Sequence, residues 1–192
     1  MARTPSTMLD LGTAAPDFKL PEPKTHHQVA LNDFTGNGLV VAFICNHCPY
    51  VIQIINTFSA VATRYQAKGI DFVAINSNDI ANYPDDSPEK MVEFAQQSNF
   101  TFPYLFDDDQ SIAKAYQAAC TPDLFVFDAA KTLVYRGQFD SARPKSDTPV
   151  TGEDLSKALD TLLAGEPALA TQKASLGCNI KWIAGNEPNY FG

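Results

Sequence analysis

Two short runs rich in β-branched residues, 39–44 wholly apolar and 70–75 apolar but for Asp71, flank a stretch whose apolar positions recur every three or four residues. An unbroken run of that length reads as a strand buried on both faces of a sheet, and the wider spacing reads as a helix laid against it. Val51, Ile52, Ile54, Ile55, Phe58, Val61, Ala62 and Tyr65 carry the helical spacing. Pro49 suits the first turn of that helix, where a missing N–H costs nothing, and Lys68-Gly69 ends it. Strand, helix and strand then make a βαβ crossover with parallel strands.

Further along, Ser87 and Pro88 cap a helix predicted over 89–97, a strand follows at 103–106, and a short helix is predicted at 111–119. Runs at 124–127 and 133–136, joined by 128–131, predict a hairpin and an antiparallel edge. A last helix starts near 151–154 and runs to about 163. Pro16, Pro21 and Pro23 make the opening segment a loop or short edge strands. The tail after 165 has no periodicity and is expected to lie against the domain as extended chain. The reading is α/β, a mixed sheet with helices on both faces, in one domain over 1–192 with its core at about 15–163 and its tail at 164–192.

Composition narrows the function more than the fold. The 192 residues are 45% hydrophobic and 19% charged, ordinary globular values. A formal net charge of -8 argues against nucleic acid or an anionic membrane as a partner. No apolar run is long enough to cross a bilayer, and the stretch from Met1 to Asp10 lacks the apolar core of a secretory signal, so the chain reads as cytoplasmic. Four cysteines are too few for a disulfide-built scaffold. In a reducing compartment a close pair reads as redox or metal chemistry.

That pair is Cys45-Asn46-His47-Cys48, where the first apolar run meets the helix. A cysteine at a helix N-terminus faces unpaired N–H groups and the positive end of the macrodipole, both of which favour a thiolate. Two intervening residues let the sulfurs meet across one turn. On this reading Cys45 is the nucleophile, Cys48 the resolving thiol and His47, when cationic, an electrostatic tuner of both. A structural disulfide over so short a loop stabilises little. A zinc site needs a second ligand pair, which neither Cys120 and Cys178 nor the adjacent His26 and His27 supply, so no metal is expected. For His47 the bland alternative is a solvated residue at the helix start.

Thr121-Pro122 stands directly before the strand at 124–127. A cis bond there would turn Thr121 so that its backbone flanks the dithiol, while a trans proline would simply open the strand. Cys120 and Cys178 are possible accessory thiols: Cys120 reads either as a thiol near the dithiol or as a small buried residue, and Cys178 as a distal resolving thiol or an inert one. Asp85-Asp86 and Asp107-Asp108-Asp109 read as solvated loop ends.

The combination of Ala15-Pro16-Asp17-Phe18 with Leu20, the Cys45-to-Cys48 motif and Thr121-Pro122 resembles the thioredoxin-like superfamily. Its closest likeness is to the redoxin branch, the alkyl hydroperoxide reductase/thiol-specific antioxidant (AhpC/TSA) type, and to a bacterial group of thioredoxin family proteins. The resemblance implies a thioredoxin-like fold, with Cys45 attacking, Cys48 as its partner and Pro122 as the cis-proline beside the substrate. Ile44 stands where thioredoxins usually have Trp, and the apolar run at 39–44 lacks their buried acid. Cys48-Pro49 matches the peroxidatic cysteine-proline step of peroxiredoxins, but Thr121-Pro122 stands where their arginine would be.

The function expected is thiol-disulfide exchange in cell redox homeostasis, without a bound cofactor because the dithiol is the redox centre. Its partners would be a protein or small-molecule disulfide and an external thiol reductant. One alternative is an atypical peroxiredoxin-like peroxidase with antioxidant activity, taking peroxide. Another is a non-enzymatic soft-metal or partner-binding module.

Overall fold

The apolar run at 39–44 becomes the middle strand of a five-stranded sheet. The computed structural model describes residues 3–191; Met1, Ala2 and Gly192, at the ends of the span read as one domain, lie outside the described residues. In chain order the elements are β1 (Arg3–Pro5), β2 (Lys19–Glu22), β3 (His27–Ala30), β4 (Gly38–Phe43), α1 (Pro49–Gln66), β5 (Ile70–Asn76) and α2 (Pro88–Gln97). They continue as β6 (Tyr104–Phe106), α3 (Ser111–Ala115), β7 (Cys120–Thr121), β8 (Asp123–Asp128), β9 (Leu133–Gly137), α4 (Glu153–Leu163) and β10 (Leu176–Asn179). The central sheet has the order β6-β5-β4-β8-β9. Strands β4, β5 and β6 run parallel, and β8 and β9 join antiparallel. This mixed sheet with helices on both faces is a thioredoxin-like fold.

Every residue of β4 is buried, as a strand with neighbours and a layer on each side must be. Its side chains alternate between two cores. Val40 and Ala42 join the buried residues of α1, α2 and α4, while Leu39, Val41 and Phe43 join Ala113 of α3, Leu20 of β2 and the tail residues Ile180 and Trp182. Helix α1 lays Val51, Ile54, Ile55, Phe58, Val61, Ala62 and Tyr65 on the sheet. Phe58 sits among the rings of Phe72, Phe102 and Phe139 at 6.0, 5.7 and 5.8 Å between centroids. Ile52, part of the apolar spacing in sequence, faces outward.

Two segments differ from the sequence reading. The helix expected over 111–119 stops at Ala115, because Gln117 takes a left-handed conformation (φ 51°) and turns the chain back toward the sheet as β7. The tail is extended, but part of it is a strand. β10 pairs antiparallel with both β1 and β7, placing Cys178 opposite Thr121 and Asn179 opposite Cys120. Gln110 fastens the chain beyond β10: its Nε2 donates to the carbonyls of Ser77 (2.7 Å) and Lys181 (2.9 Å), and its Oε1 accepts from Ile183 N (2.9 Å).

Candidate active site

Four cysteines, all unpaired and buried, lie at the carboxyl end of β4 and around it. Helix α1 begins at Pro49, so its N-cap is Cys48; Cys45 sits three residues upstream, just past the end of β4. The helix N-terminus that the sequence reading assigned to Cys45 therefore acts on Cys48. Proline cannot continue a helix backward, since its ring excludes the preceding turn, and this sets the boundary.

The Thr121-Pro122 bond is cis. It brings Thr121 against both sulfurs: Cys45 Sγ is 3.5 Å from Thr121 Oγ1, and the Cys48 thiol donates to Thr121 O at 3.1 Å. A small surface groove runs past Pro122, lined by Tyr50, Gln53, Arg143 and Leu176 among others.

Cys48 is the acidic thiol of the group. Hydrogen bonds from the thiols of Cys178 and Cys45 pull its pKa far down, with help from Thr121 and the backbone N–H of Val51, against the cost of burial. The Thr121 carbonyl opposes them, since it holds the protonated thiol. Cys45 moves the other way: its bond to Cys48, then burial, then the negative charge of Asp86 raise its pKa. Cys178 is raised first by its bond to Cys48 and then by burial. Among the three thiols the surroundings thus lower the pKa of Cys48 and raise those of Cys45 and Cys178.

His47 lies beside the sulfurs but is held by Asp86 and Tyr83. Its Nδ1 lies 2.7 Å from Asp86 Oδ2, a charge contact whose N–H is poorly aligned, and its ring stacks on Tyr83 at 5.6 Å between centroids. The contact with Asp86 raises the His47 pKa more than its partial burial lowers it, and the Cys48 charge adds to the rise. Asp86 is fully buried, contrary to the reading of 85–86 as a solvated loop end. Its carboxylate accepts from Asn46 N and Asn78 Nδ2, both at 2.8 Å, so it ties the loop between the cysteines to the end of β5. Asp107 is buried for a similar reason, accepting from Ser77 Oγ (2.7 Å), Ala113 N (2.9 Å) and Ile112 N (3.2 Å) at the start of α3. Asp85, Asp108 and Asp109 are exposed.

Residues that the sequence did not single out complete the surroundings. Tyr104 donates to Asn46 Oδ1 at 3.0 Å and, being buried, has its pKa pushed up. Lys181 is buried beside the site, its Nζ donating to Asn179 O at 2.7 Å and lying 5.7 Å from the Tyr83 ring centre. Arg136 is also buried, but it serves another cluster: Nε donates to Ser6 Oγ (3.1 Å) and an Nη to Thr7 Oγ1 (3.0 Å), near Asp123 and Cys120. Burial holds Asp123 up at about 6. Cys120 itself is fully buried, its thiol 3.5 Å from Pro122 O. His26 and His27 are exposed.

Among the described residues, Cys45, His47 and Asp86 form a three-ligand group whose donor atoms lie within 4.8 Å of one another. Both Asp86 oxygens also carry protein contacts, Oδ1 from Asn46 N and Oδ2 from Asn78 Nδ2 and His47.

Residues 11–136 match the model of the AhpC/TSA family. The chain is 29% identical over 128 residues to the thiol-disulfide oxidoreductase ResA of Geobacillus kaustophilus, covering 65% of this chain and 67% of that protein. It is 30% identical over 115 residues to a Mycobacterium tuberculosis protein named "Putative peroxiredoxin Rv2521", covering 60% of this chain and 68% of that one. A solved structure described as an uncharacterized conserved protein from Geobacillus kaustophilus is 47% identical, covers 95% of this chain and 97% of its own, and superposes with a TM-score of 0.93.

Proposed function

The chain belongs to the AhpC/TSA family, and from that premise we propose that it is a thiol-disulfide oxidoreductase whose reacting thiolate is Cys48 and whose partner is Cys45. The observation that carries this reading is geometric: Cys48 stands at the N-cap of α1, with Thr121 against its sulfur and that of Cys45, and the surroundings lower the Cys48 pKa while raising that of Cys45. The Cys48 thiolate attacks one sulfur of a substrate disulfide, forming a mixed disulfide; the other substrate sulfur leaves with the electron pair and takes up a proton. Cys45 then loses its proton and attacks Cys48 Sγ. The second substrate thiol departs and a Cys45–Cys48 disulfide remains, which an external thiol reductant reopens. This proposal exchanges the roles expected from position, in which Cys45 attacks and Cys48 resolves. Thr121 flanks the reacting sulfurs, and His47 supports the Cys48 charge while Asp86 fixes its ring.

Peroxide reduction is the second reading, favoured by the N-cap position of Cys48 and by a peroxiredoxin-named relative. Against it stands the arginine: Arg136 directs its donors to Ser6 and Thr7, not to Cys48. The test measures consumption of hydroxyethyl disulfide under an excess of dithiothreitol, alongside thiolate absorbance in the ultraviolet as a function of pH. Cys48→Ser is expected to fall to background and to lose the acidic thiolate signal. Cys48→Ser retaining the wild-type rate through Cys45 would refute the assignment.

A further inference from the structure

Cys48 has two thiol neighbours, and the exchange cycle uses one of them. The other, Cys178, is placed by three features of the fold. Directly paired residues of adjacent strands put their side chains on one face, and Cys178 is paired with Thr121, whose hydroxyl is 3.5 Å from Cys45 Sγ. Gly177 lets β10 press close, since a Cβ there would lie 2.1 Å from Thr121 O. Cys178 is 3% exposed and shares one buried cluster with Cys45 and Cys48. Cys120, the neighbour of Thr121 in the chain, is in neither core cluster.

We propose that Cys178 is a second resolving thiol, which attacks Cys48 in its mixed disulfide and closes a Cys48–Cys178 disulfide between the N-terminus of α1 and the tail strand β10. The inference rests on Cys48 reacting with disulfides. In the step, Cys178 gives up its proton and its sulfur bonds to Cys48 Sγ. The bond from Cys48 to the substrate sulfur breaks, and that sulfur leaves with the electron pair and the proton. Two cysteine thiols are oxidised and one substrate disulfide becomes two thiols, so electrons balance without another reactant. Cys45 can then attack Cys48 Sγ, release Cys178 as a thiol and move the disulfide to Cys45–Cys48 with no net redox change. The thiolate that raises the Cys178 pKa is consumed once Cys48 is in the mixed disulfide, and the nearby Lys181 charge favours the Cys178 thiolate. Cys178 thus becomes easier to ionise at the point in the cycle where it would react. The two products differ in consequence: Cys45–Cys48 closes a loop of four residues, whereas Cys48–Cys178 ties the tail to the body of the fold.

The experiment treats the full reduced chain, as wild type, Cys45→Ser and Cys45→Ser/Cys178→Ser, with hydroxyethyl disulfide. Acid quenching, alkylation and peptide mass spectrometry follow, with thermal melts confirming that each variant folds. Cys45→Ser is expected to yield a Cys48–Cys178 peptide, and the double variant to stop at a hydroxyethyl adduct on Cys48. Accumulation of that adduct in Cys45→Ser with Cys178 free, or linkage of Cys48 to Cys120, overturns the proposal. A Cys48 that takes no adduct and enters no disulfide in any of the three proteins overturns the exchange reading, and the proposal with it. Should Cys45→Ser fail to fold, the same mapping of wild type under limiting oxidant decides the question: a Cys48–Cys178 fraction supports the proposal, and Cys45–Cys48 as the sole linkage refutes it.

Discussion

Replacing His47 by Asn removes a charge and leaves an amide donor close to where the ring Nδ1 stood. In the wild type that nitrogen is 2.7 Å from the carboxylate of Asp86, with the His47 side chain 19% exposed and Asp86 0%. An ion pair with a partly exposed, poorly aligned partner contributes about 1 kcal/mol. Loss of the stack on Tyr83 adds roughly 0.5–1 kcal/mol that does not depend on pH. The charge contribution does depend on it. The pKa of His47 is raised in the folded protein by its contact with Asp86, so the stability is fully present below the unfolded value of about 6.5 and fades as pH rises through the higher folded value. Urea unfolding of the reduced proteins across roughly pH 5 to 9 therefore gives two curves that lie farthest apart in acid and converge in alkali, leaving only the stacking difference. A gap that stays constant over the whole range would refute the ion pair as the source of the stability and, with it, a cationic His47 at the site.

Other perturbations probe the rest of the account. Gly177→Ala brings a Cβ to 2.1 Å from Thr121 O, which only backbone movement can relieve; the variant should lose about 2–3 kcal/mol by thermal melting, with Cys178 linkage to Cys48 falling in the disulfide map. Burial holds the carboxyl of Asp123 at about 6 rather than its ordinary 3.8, so ionisation is easier in the unfolded chain and stability declines as pH rises from about 4 to 6, by about 3 kcal/mol in all. Asp123→Asn should erase that slope in urea unfolding, whatever constant offset its altered hydrogen bonds to Ser6 and Ala119 introduce. Phe58→Ala opens a cavity between three aromatic rings and should cost about 3–5 kcal/mol, while the thiolate titration of Cys48 stays where it was.

The parts legible in the sequence are those that local pattern controls. Leu39 to Ile44 could be read as a buried strand because it is apolar without interruption, and α1 because its apolar residues repeat with the helix. The proximity of Cys45 and Cys48 follows from their spacing, and Thr121-Pro122 stands out as a proline at a strand entrance. What escaped depends on contacts between distant segments. An acidic pair in a proline-containing loop looks the same whether solvated or buried; Asp86 is buried because Asn46 N and Asn78 Nδ2 reach it, and neither donor is announced by the residues around it. Cys178 has no periodic segment about it, and its place follows only from β10 pairing with β1 and β7. The acidity of the dithiol depends first on the neighbouring thiols, including Cys178, which the fold alone brings to Cys48, while the helix start that Pro49 marks falls on Cys48 rather than on Cys45. Lys181 and Tyr104 were unremarkable as a tail lysine and a core aromatic until the fold set them beside the thiols.

The most direct measurement is stopped-flow oxidation of the reduced wild-type chain by hydroxyethyl disulfide and, separately, by hydrogen peroxide, with quenched samples mapped by mass spectrometry. The account predicts that the disulfide is consumed faster, through an adduct on Cys48 that resolves into an intramolecular disulfide, while peroxide reacts slowly. Rapid peroxide oxidation through a sulfenic acid on Cys48, with the disulfide left largely untouched, would contradict it and make the protein a peroxidase.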